Sequence, residues 1–576
     1  MNELLLEIKN KIEQALKENS YEDDVVVNFS NKVTLGEFQY NGAMKLAKVY
    51  SEKPVDIANK IVSVMEKDKF FSNVNVAGPG FINITIDNKY LLEFINKVTN
   101  NFNLLIPKIN SKTIIIDYGG ANAAKALHVG HMRSANIGEA LKRLARVLGD
   151  KVISDVHLGD LGRQSGMLIS EIKKRNPELC FFDRNYKGEY PKLDITSKML
   201  SEYYPVASNA AKEDEDRMNE VREISSLVEN GYTPYLNLWK QIVDVSSEEI
   251  KGIYGKLNCS FDLWEGEMDS IKYTDKVLEY LKNVMYESDG AQVVDVKQED
   301  DKLDIPPMII INRNGATNYE TRELGTLYSR MERFNPDEIW YIVDNRQSLH
   351  FVQTFRVAYK TGMVGEDTKL FHFGFGTING KDGKPFKTRD GGVMKLEDLI
   401  NMIKEEITKK VSDRVSDNEK EDTINKLTIA TLKYADLVSF RSTDYIFDVE
   451  KYSSFEGKTG PYILYTMVRI KSLLEKNKYN NKPITKINNS SDLNIYLKLL
   501  EVSNTLKKSY DEKSLNYICD YLYEVCSLYN KFYGECNITN EEDTELKNSW
   551  LGLSKTLYDI CRNLLDILAI DIPNRM

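Results

Sequence analysis

The chain has 576 residues, of which 42% are hydrophobic; this is enough for three or four domains with separate cores, and it excludes a disordered chain. Its 77 basic and 87 acidic residues give a net charge of −10, which excludes a protein that is basic over its whole surface but still allows a local basic stripe for a nucleic-acid partner. The N-terminus lacks a cationic, apolar leader and no apolar run has membrane-spanning length, which predicts a cytoplasmic protein without a membrane partner.

The cysteines show no CxxC spacing and no regular framework. This pattern favours reduced, mostly structural thiols over disulfides, and it predicts neither a zinc site nor another metal site. The six cysteines are Cys180, Cys259, Cys519, Cys526, Cys536 and Cys561.

The first block, residues 1–105, alternates helical patterns with short strands. Apolar residues recur at helical spacing over residues 4–16, 42–50 and 55–65. The stretch "NVNVAGPGFINITI" has a Gly-Pro-Gly turn flanked by alternating apolar residues, as in a β-hairpin. A small α+β domain is therefore predicted.

The second block, residues 106–425, begins with a strand–turn–helix–strand pattern. Residues 113–116 are β-branched and apolar, small residues follow, residues 133–148 have helical periodicity, and residues 152–156 are again apolar. His128 and His131 fall at the predicted helix N-terminus, where free N–H groups and the helix dipole favour a phosphate. The HxxH spacing alone also fits two helix-capping histidines.

The predicted sheet is interrupted and then resumes. Residues 171–288 are polar and helical and resemble an insertion, whose charge clusters fit solvated helix faces. The next strand, residues 339–343, ends at Asp344, and a ligand is expected beyond the carboxyl ends of such strands. Lys384 and Lys387 follow in a glycine-rich loop, "NGKDGKPFKTRDGG", which fits either phosphate ligands or a solvated turn.

The last block, residues 426–576, is almost wholly helical and rich in tyrosine. Tyr462, Tyr465 and Arg469 are spaced i, i+3 and i+7, so they share one helix face. Such a face either stacks on unpaired RNA bases or packs half-buried against a neighbouring helix.

Several of these stretches resemble one family. "ANAAKALHVGH" resembles the "HIGH" element of class I aminoacyl-tRNA synthetases in the form found in arginyl-tRNA synthetases, and "KPFKT" stands in the position of the "KMSKS" loop. "AGPGFIN" and the C-terminal "LLDILAIDIPNRM" are similar to the same family. The resemblance implies an α/β fold with a Rossmann-type class I catalytic domain and its insertion, an N-terminal α+β domain that touches tRNA, and an all-α anticodon-binding domain.

The resemblance implies ATP-dependent attachment of L-arginine to tRNA(Arg) through arginyl-adenylate. ATP is expected as its Mg²⁺ complex, without zinc, in a monomeric enzyme. Charge builds on the phosphate oxygens during this reaction, so preorganised donors are needed around them. The implied catalytic residues are Lys125, His128, His131, Lys384 and Lys387, and the implied ATP-binding residues are Gly130, His350, Gln353, Gly374 and Gly376.

A guanidinium substrate needs planar carboxylate partners and a flat side chain to lie against. The family's pocket positions fall here on Asp117, Asn122, Tyr319, Glu323 and Gln347. For tRNA, the resemblance points to Phe81, Asn83, Tyr462, Tyr465, Arg469 and Met576. Phe81 and Asn83 also fit a core phenylalanine and a turn asparagine.

The chain departs from the family pattern at several positions. Glu323 replaces the usual aspartate, Leu161 stands where tryptophan is common, Arg163 replaces a small or apolar residue, and Trp550 takes the place of an arginine. Two alternatives therefore stay open. One is a diverged paralogue that makes arginyl-adenylate or arginyl-tRNA for another pathway, and the other is a non-catalytic tRNA-binding or regulatory protein.

Overall fold

The computed structural model describes residues 2–30, 35–123, 125–313, 315–386, 394–411 and 415–576. The N-terminal region is a four-stranded antiparallel sheet with strand order β1-β2-β4-β3, and four helices accompany it. Its elements are α1 (Glu3–Glu18), β1 (Asn28–Phe29), β2 (Phe38–Tyr40), α2 (Ala43–Tyr50), α3 (Pro54–Met65), β3 (Phe71–Ala77), β4 (Phe81–Ile86) and α4 (Asn88–Asn100). The predicted hairpin across the Gly-Pro-Gly turn is the β3–β4 pair.

A parallel sheet follows, and a long helical excursion interrupts it. The elements up to the excursion's end are β5 (Thr113–Tyr118), α5 (Val129–Leu148), β6 (Lys151–Asp155), α6 (Arg163–Arg175), α7 (Ser197–Glu213), α8 (Glu215–Glu229), α9 (Thr233–Lys256), α10 (Glu267–Ser270) and α11 (Thr274–Leu281). The excursion is helical to Leu281, as its polar periodicity predicts. A three-stranded antiparallel sheet comes next, which the sequence pattern did not predict: β7 (Met285–Ser288), β8 (Ala291–Val294) and β9 (Met308–Ile311).

The chain then returns to the parallel sheet through α12 (Tyr319–Phe334), β10 (Glu338–Ile342), α13 (Ser348–Lys360) and β11 (Lys369–His372). The strand order is β11-β10-β5-β6, and every pair is parallel. All four strands therefore end at the same edge, where open α/β sheets bind ligands.

The remaining elements are helical apart from a two-stranded parallel pair. They are β12 (Ile378–Asn379), α14 (Leu396–Lys410), α15 (Asp417–Leu437), β13 (Tyr445–Ile446), α16 (Val449–Tyr452), α17 (Gly460–Lys476), α18 (Ser490–Leu500), α19 (Val502–Glu512), α20 (Asn516–Glu535) and α21 (Thr544–Ile567). The predicted fold class, an α/β catalytic region between an α+β and an all-α region, is confirmed. Within the described ranges, no helix combines the length and apolarity needed to cross a membrane.

The N-terminal region docks on the C-terminal helices through paired polar groups. Asn96 Nδ2 donates to Ile484 O (2.8 Å), and Ile484 N donates back to Asn96 Oδ1 (2.9 Å). Thr99 Oγ1 and Thr556 Oγ1 lie 2.6 Å apart where α4 meets α21. Because each of these groups is satisfied across the boundary, the two regions hold a defined orientation.

A buried ion pair joins α5 to α15. Arg133 Nε lies 3.1 Å from Asp436 Oδ1, and their side chains are 1% and 0% exposed. Asn136 Nδ2 donates to Asp436 Oδ2 (3.0 Å), and Arg133 NH1 donates to Gly376 O (2.5 Å). The helix that begins with the two histidines is thus fixed to the helical region and to the segment after β11.

We expect Gly138→Ala to destabilise the protein by up to about 2 kcal/mol net, because overpacking the contact between α5 and β5 costs about 1–3 kcal/mol. A Cβ at Gly138 would lie only 2.1 Å from Cγ of Tyr118. This cost exceeds the roughly 1 kcal/mol that alanine gains in helix propensity. The thermal unfolding midpoint measures the effect. Gly252→Ala on α9 is the control, because among the described residues no atom outside the adjoining helix backbone lies within 4 Å of an added Cβ. Equal midpoints for the two variants would contradict the prediction.

Candidate active site

The two histidines cap helix α5 at the sheet's carboxyl edge. His128 is the N-cap residue, and its Nδ1 accepts from Gly130 N (3.0 Å), while His131 Nδ1 accepts from His128 N (3.1 Å). The rings are stacked with centroids 3.8 Å apart. A Cβ at residue 130 would come within 2.9 Å of the His128 ring. Glycine at this position therefore leaves room for the His128 imidazole to fold back onto the helix start.

Both rings are held neutral. Burial lowers the pKa of His131 to about 3, and the nearby His128 and Lys125 add to the shift. Burial, Arg346 and Lys125 lower the pKa of His128. Since each Nδ1 accepts a hydrogen bond, the ring proton lies on Nε2. The pair therefore supplies two fixed N–H donors at a helix N-terminus, an arrangement suited to phosphate oxygens.

The segment that follows the glycine-rich loop pairs with the start of α5. Val129 N donates to Met394 O (3.3 Å), and Leu396 N donates to Leu127 O (2.9 Å). Lys384 is exposed and belongs to a turn in which Gly380 N donates to Lys384 O (2.8 Å). The predicted Lys387 lies outside the described residues.

A cavity of about 430 Å³ opens at the carboxyl edge of β5 and β10. It brings together all five residues predicted to bind arginine, namely Asp117, Asn122, Tyr319, Glu323 and Gln347. The hydroxyl of Tyr319 donates to Glu323 Oε2 (3.3 Å), and the Tyr319 ring lies 5.0 Å from that of His350. Glu323 is 4% exposed, so it is a cavity residue and not a surface helix residue.

The cavity also contains charged groups that the sequence analysis missed. Arg322 and Glu267 line it and are joined by Arg322 Nε to Glu267 Oε2 (2.9 Å). His157 lines it as well, with a left-handed backbone φ of 31°. Behind Asp117 lie Arg330 and Asp155, both buried. Arg322 and Arg330 belong to the polar helix α12, whose pattern gave no sign that its arginines face inward.

The residues predicted to bind ATP are only partly brought together. His350 lines the cavity, whereas Gln353 Nε2 donates to Pro306 O (2.8 Å) and is not among the lining residues. Gly374 and Gly376 follow β11, and their carbonyl oxygens accept from Arg441 and Arg133 respectively. Lys125 lies with Nζ 5.3 Å from the Tyr204 ring centroid.

The predicted anticodon-contact residues lie on α17 and at the C-terminus. The Arg469 guanidinium lies 4.7 Å from the Tyr465 ring and 5.1 Å from the Tyr533 ring. Tyr465 is exposed, Tyr462 is half-buried with its hydroxyl 3.3 Å from Ser527 Oγ, and Met576 is half-buried. An exposed ring with an adjacent cation is a surface on which an RNA base can stack.

The two residues predicted on the N-terminal sheet differ in exposure. Phe81 is half-buried at the start of β4. Asn83 is 2% exposed, and its side chain bridges Gln39 and Asn75 with hydrogen bonds of 2.9 and 3.2 Å. This geometry favours a packing role for Asn83, and the prediction of an RNA contact stays a prediction.

The departures from the family pattern have distinct surroundings. Leu161 is buried, lines the cavity and packs with the insertion's core, whereas Arg163 is exposed at the start of α6. Trp550 is buried, with Nε1 donating to Asp492 Oδ2 (3.3 Å) and its ring against Phe532. Of the four departures, Glu323 and Leu161 line the cavity, whereas Arg163 and Trp550 are not among its lining residues.

Among the described residues, no group of three or more His, Cys, Asp or Glu side chains is arranged so that it could hold a metal ion. The cavity's carboxylates are paired with arginines or with Tyr319. The donor set at α5 consists of neutral imidazoles and backbone N–H groups, which suits the oxygens of an anionic phosphate group.

The parallel sheet, the paired histidines at the start of its first helix and the acidic cavity beside them lie in the region that matches the catalytic domain of class I aminoacyl-tRNA synthetases. Three family models match the chain: "tRNA synthetases class I (R), catalytic domain" over residues 95–449, "DALR anticodon binding domain" over 463–576, and "Arginyl tRNA synthetase N terminal domain" over 3–86. The chain belongs to the arginyl-tRNA synthetase family.

The sequence similarity to curated relatives extends over the whole chain. The arginine–tRNA ligases of Alkaliphilus oremlandii and Agathobacter rectalis are 42% and 41% identical, with 100% of both chains covered in each case. Among solved structures, the arginyl-tRNA synthetases of Plasmodium falciparum (22% identity, TM-score 0.81) and Thermus thermophilus (19%, 0.77) cover 100% of both chains. At these identities the solved structures show the fold.

Proposed function

We propose that the protein attaches L-arginine to tRNA(Arg) by forming arginyl-adenylate from arginine and Mg²⁺-ATP and then transferring the arginyl group to the tRNA 3′ end. The observation that carries this proposal is the cavity that joins two carboxylates and an aromatic wall, Asp117, Glu323 and Tyr319, within one space. Two carboxylates suit the forked, planar guanidinium cation.

The chemistry assigns roles to the groups around the cavity. The arginine carboxylate attacks the α-phosphorus of ATP, the bond to pyrophosphate breaks, and negative charge grows on the phosphate oxygens. His128 and His131 would donate from Nε2 to the ribose and phosphate, and Lys125, Lys384 and Lys387 would neutralise the leaving pyrophosphate. Mg²⁺ bound to ATP would supply further charge neutralisation.

The division of the chain into residues 1–105, 106–425 and 426–576 is part of the proposal. Residues 1–105 would contact tRNA, and residues 106–425 would carry out the reaction. Residues 426–576 would bind the anticodon through Tyr465, Arg469 and Met576. The Arg469–Tyr465–Tyr533 cluster supports the last assignment, because it offers stacking surface and positive charge together.

The test is aminoacylation of total tRNA with each labelled amino acid in turn. We expect arginine alone to be transferred, at a rate that depends on ATP. Folded protein that transfers no arginine would overturn the proposal. Arginyl-adenylate formation without transfer to any tRNA would favour the diverged paralogue, for which Glu323 and Leu161 in the cavity lining are the supporting observations.

A further inference from the structure

A row of alternating charges runs inward from the cavity. Asp117 lines the cavity, and Arg330 NH2 donates to Asp117 Oδ2 (2.6 Å) and at the same time to Asp155 Oδ2 (2.7 Å). Side-chain exposures fall from 9% for Asp117 to 2% for Arg330 and 0% for Asp155. Only the first member of the row can therefore meet a ligand.

Arg330 holds this position with a single nitrogen. Among the described residues, its Nε and NH1 atoms are buried without a hydrogen-bond partner, and its guanidinium carbon lies 5.4 Å from the ring centroid of Tyr341. An arginine facing one carboxylate normally forms two parallel hydrogen bonds. Because the same NH2 group also donates to Asp155, Arg330 holds Asp117 through a hydrogen bond to Oδ2 alone.

Arg330 lies beside both carboxylates, but the net pKa shifts of Asp117 and Asp155 have opposite directions. Burial raises the pKa of Asp117, although Arg330 and His157 oppose the shift. For Asp155, burial acts in the same sense, but Arg330 and His157 outweigh it and lower the pKa. A proton entering the row is therefore carried by Asp117, the member that faces the ligand. Asp155 and Glu323 also act on Asp117, and the negative charge of each raises its pKa.

We propose that Arg330 and Asp155 are positioning residues for arginine binding: they fix Asp117 in place and set how strongly it attracts a guanidinium, without touching the substrate. The inference rests on the proposed function. Removing Asp155 leaves the whole charge of Arg330 on Asp117, whereas removing Arg330 leaves Asp117 beside an uncompensated carboxylate.

The first test is Asp155→Asn, which keeps the shape and the cation. Asp117 must be ionised to pair with a guanidinium, so KM for arginine rises as pH falls through its pKa. With Asp155 neutral, we expect the midpoint of that rise to move down by about one pH unit, in line with the 1–3 units typical of a single close charge. At neutral pH we expect KM for arginine to increase about 10-fold, because Arg330 then competes with the substrate. KM for ATP, measured at the same pH values, should stay within about 2-fold.

The second test is Arg330→Gln. In this variant we expect the midpoint of the pH-dependent rise in KM for arginine to move up by about one pH unit. The double variant, Asp155→Asn with Arg330→Gln, should return toward the wild-type midpoint, because it removes one charge of each sign. A residue that only supports the fold would not move the midpoint in opposite directions in the two single variants.

Shifts of the same sign in both single variants, or no shift in either, would overturn the inference. If Arg330→Gln fails to fold by circular dichroism, Asp155→Asn decides alone, since an unchanged or raised midpoint in that variant contradicts the inference. Wild-type protein that transfers no arginine would overturn the proposed function and the inference together. Wild-type transfer with unshifted variants would overturn the inference alone.

Discussion

His131→Ala is expected to lower the turnover of adenylate formation by about 10²- to 10³-fold, with a smaller change in KM for ATP. A fall in turnover of this size is typical when one preorganised hydrogen-bond donor to the charge of the transition state is removed. His131 is neutral over the working pH range because its pKa is about 3, so it acts as an N–H donor and not as an acid. Pyrophosphate exchange with saturating arginine, ATP and tRNA measures the effect.

The variant His131→Asn distinguishes two roles of His131: its role as a hydrogen-bond donor in the reaction and its role in capping helix α5. The ring Nδ1 of His131 accepts from His128 N, and an asparagine side-chain oxygen can occupy a similar place at the helix start. We expect the asparagine variant to recover stability but not turnover, because it lacks the Nε2 donor. Recovery of turnover in this variant would mean that His131 serves only as a cap.

The second large effect is expected in the guanidinium cavity. Asp117→Asn and Glu323→Gln should each raise KM for arginine by roughly 10- to 100-fold, the loss expected for hydrogen bonds to a charged partner. KM for ATP should change little. Glu332→Gln is the matched control: Glu332 lies on the same helix as Glu323 but is exposed, and its variant should behave as the wild type.

Glu323→Asp restores the residue that the family usually has. Arginine use equal to or better than wild type would show that the glutamate is tolerated within an ordinary synthetase. A large loss would show that the cavity has repacked around the longer side chain, which Tyr319 contacts at 3.3 Å. Canavanine and homoarginine would then be tested as substrates. Lysine should be rejected by about 10⁴-fold in wild-type protein, because it leaves buried acceptors unpaired.

The sequence predicts those parts of the site that local patterns control. The strand, the turn and helix α5 follow from hydrophobic periodicity, and the resemblance places five pocket residues that the structure brings into one cavity. Arg330 was missed because α12 carries arginines and glutamates along a pattern that also fits a solvated helix. Its burial depends on Asp117 and Asp155, which lie 213 and 175 residues away. Periodicity carries no information about such distant pairing.

Sheet β7–β9 was missed for a different reason. Its strands have only four residues each, so their length does not separate them from loops, and the short apolar run of β9 fits a strand or a buried helix segment equally well. The contact between α5 and α15 could likewise not be predicted from local sequence patterns, because Asn136 and Asp436 are 300 residues apart. The sequence therefore predicts the elements better than it predicts the charges that connect them.

The pairing of Arg133 with Asp436 limits how this chain can be divided or recombined. Three of the carbonyl oxygens that Arg133 meets belong to Gly376, Arg441 and Thr443, so a chain ending after α14 loses the carboxylate and two of the three carbonyls. Removing α15 would also expose this part of α5 to solvent, so the truncated chain would lose both the ion pair and the packing around it. The part that carries the histidines is not a self-sufficient module, and an exchange of C-terminal regions between relatives requires α5 and α15 to be inherited together.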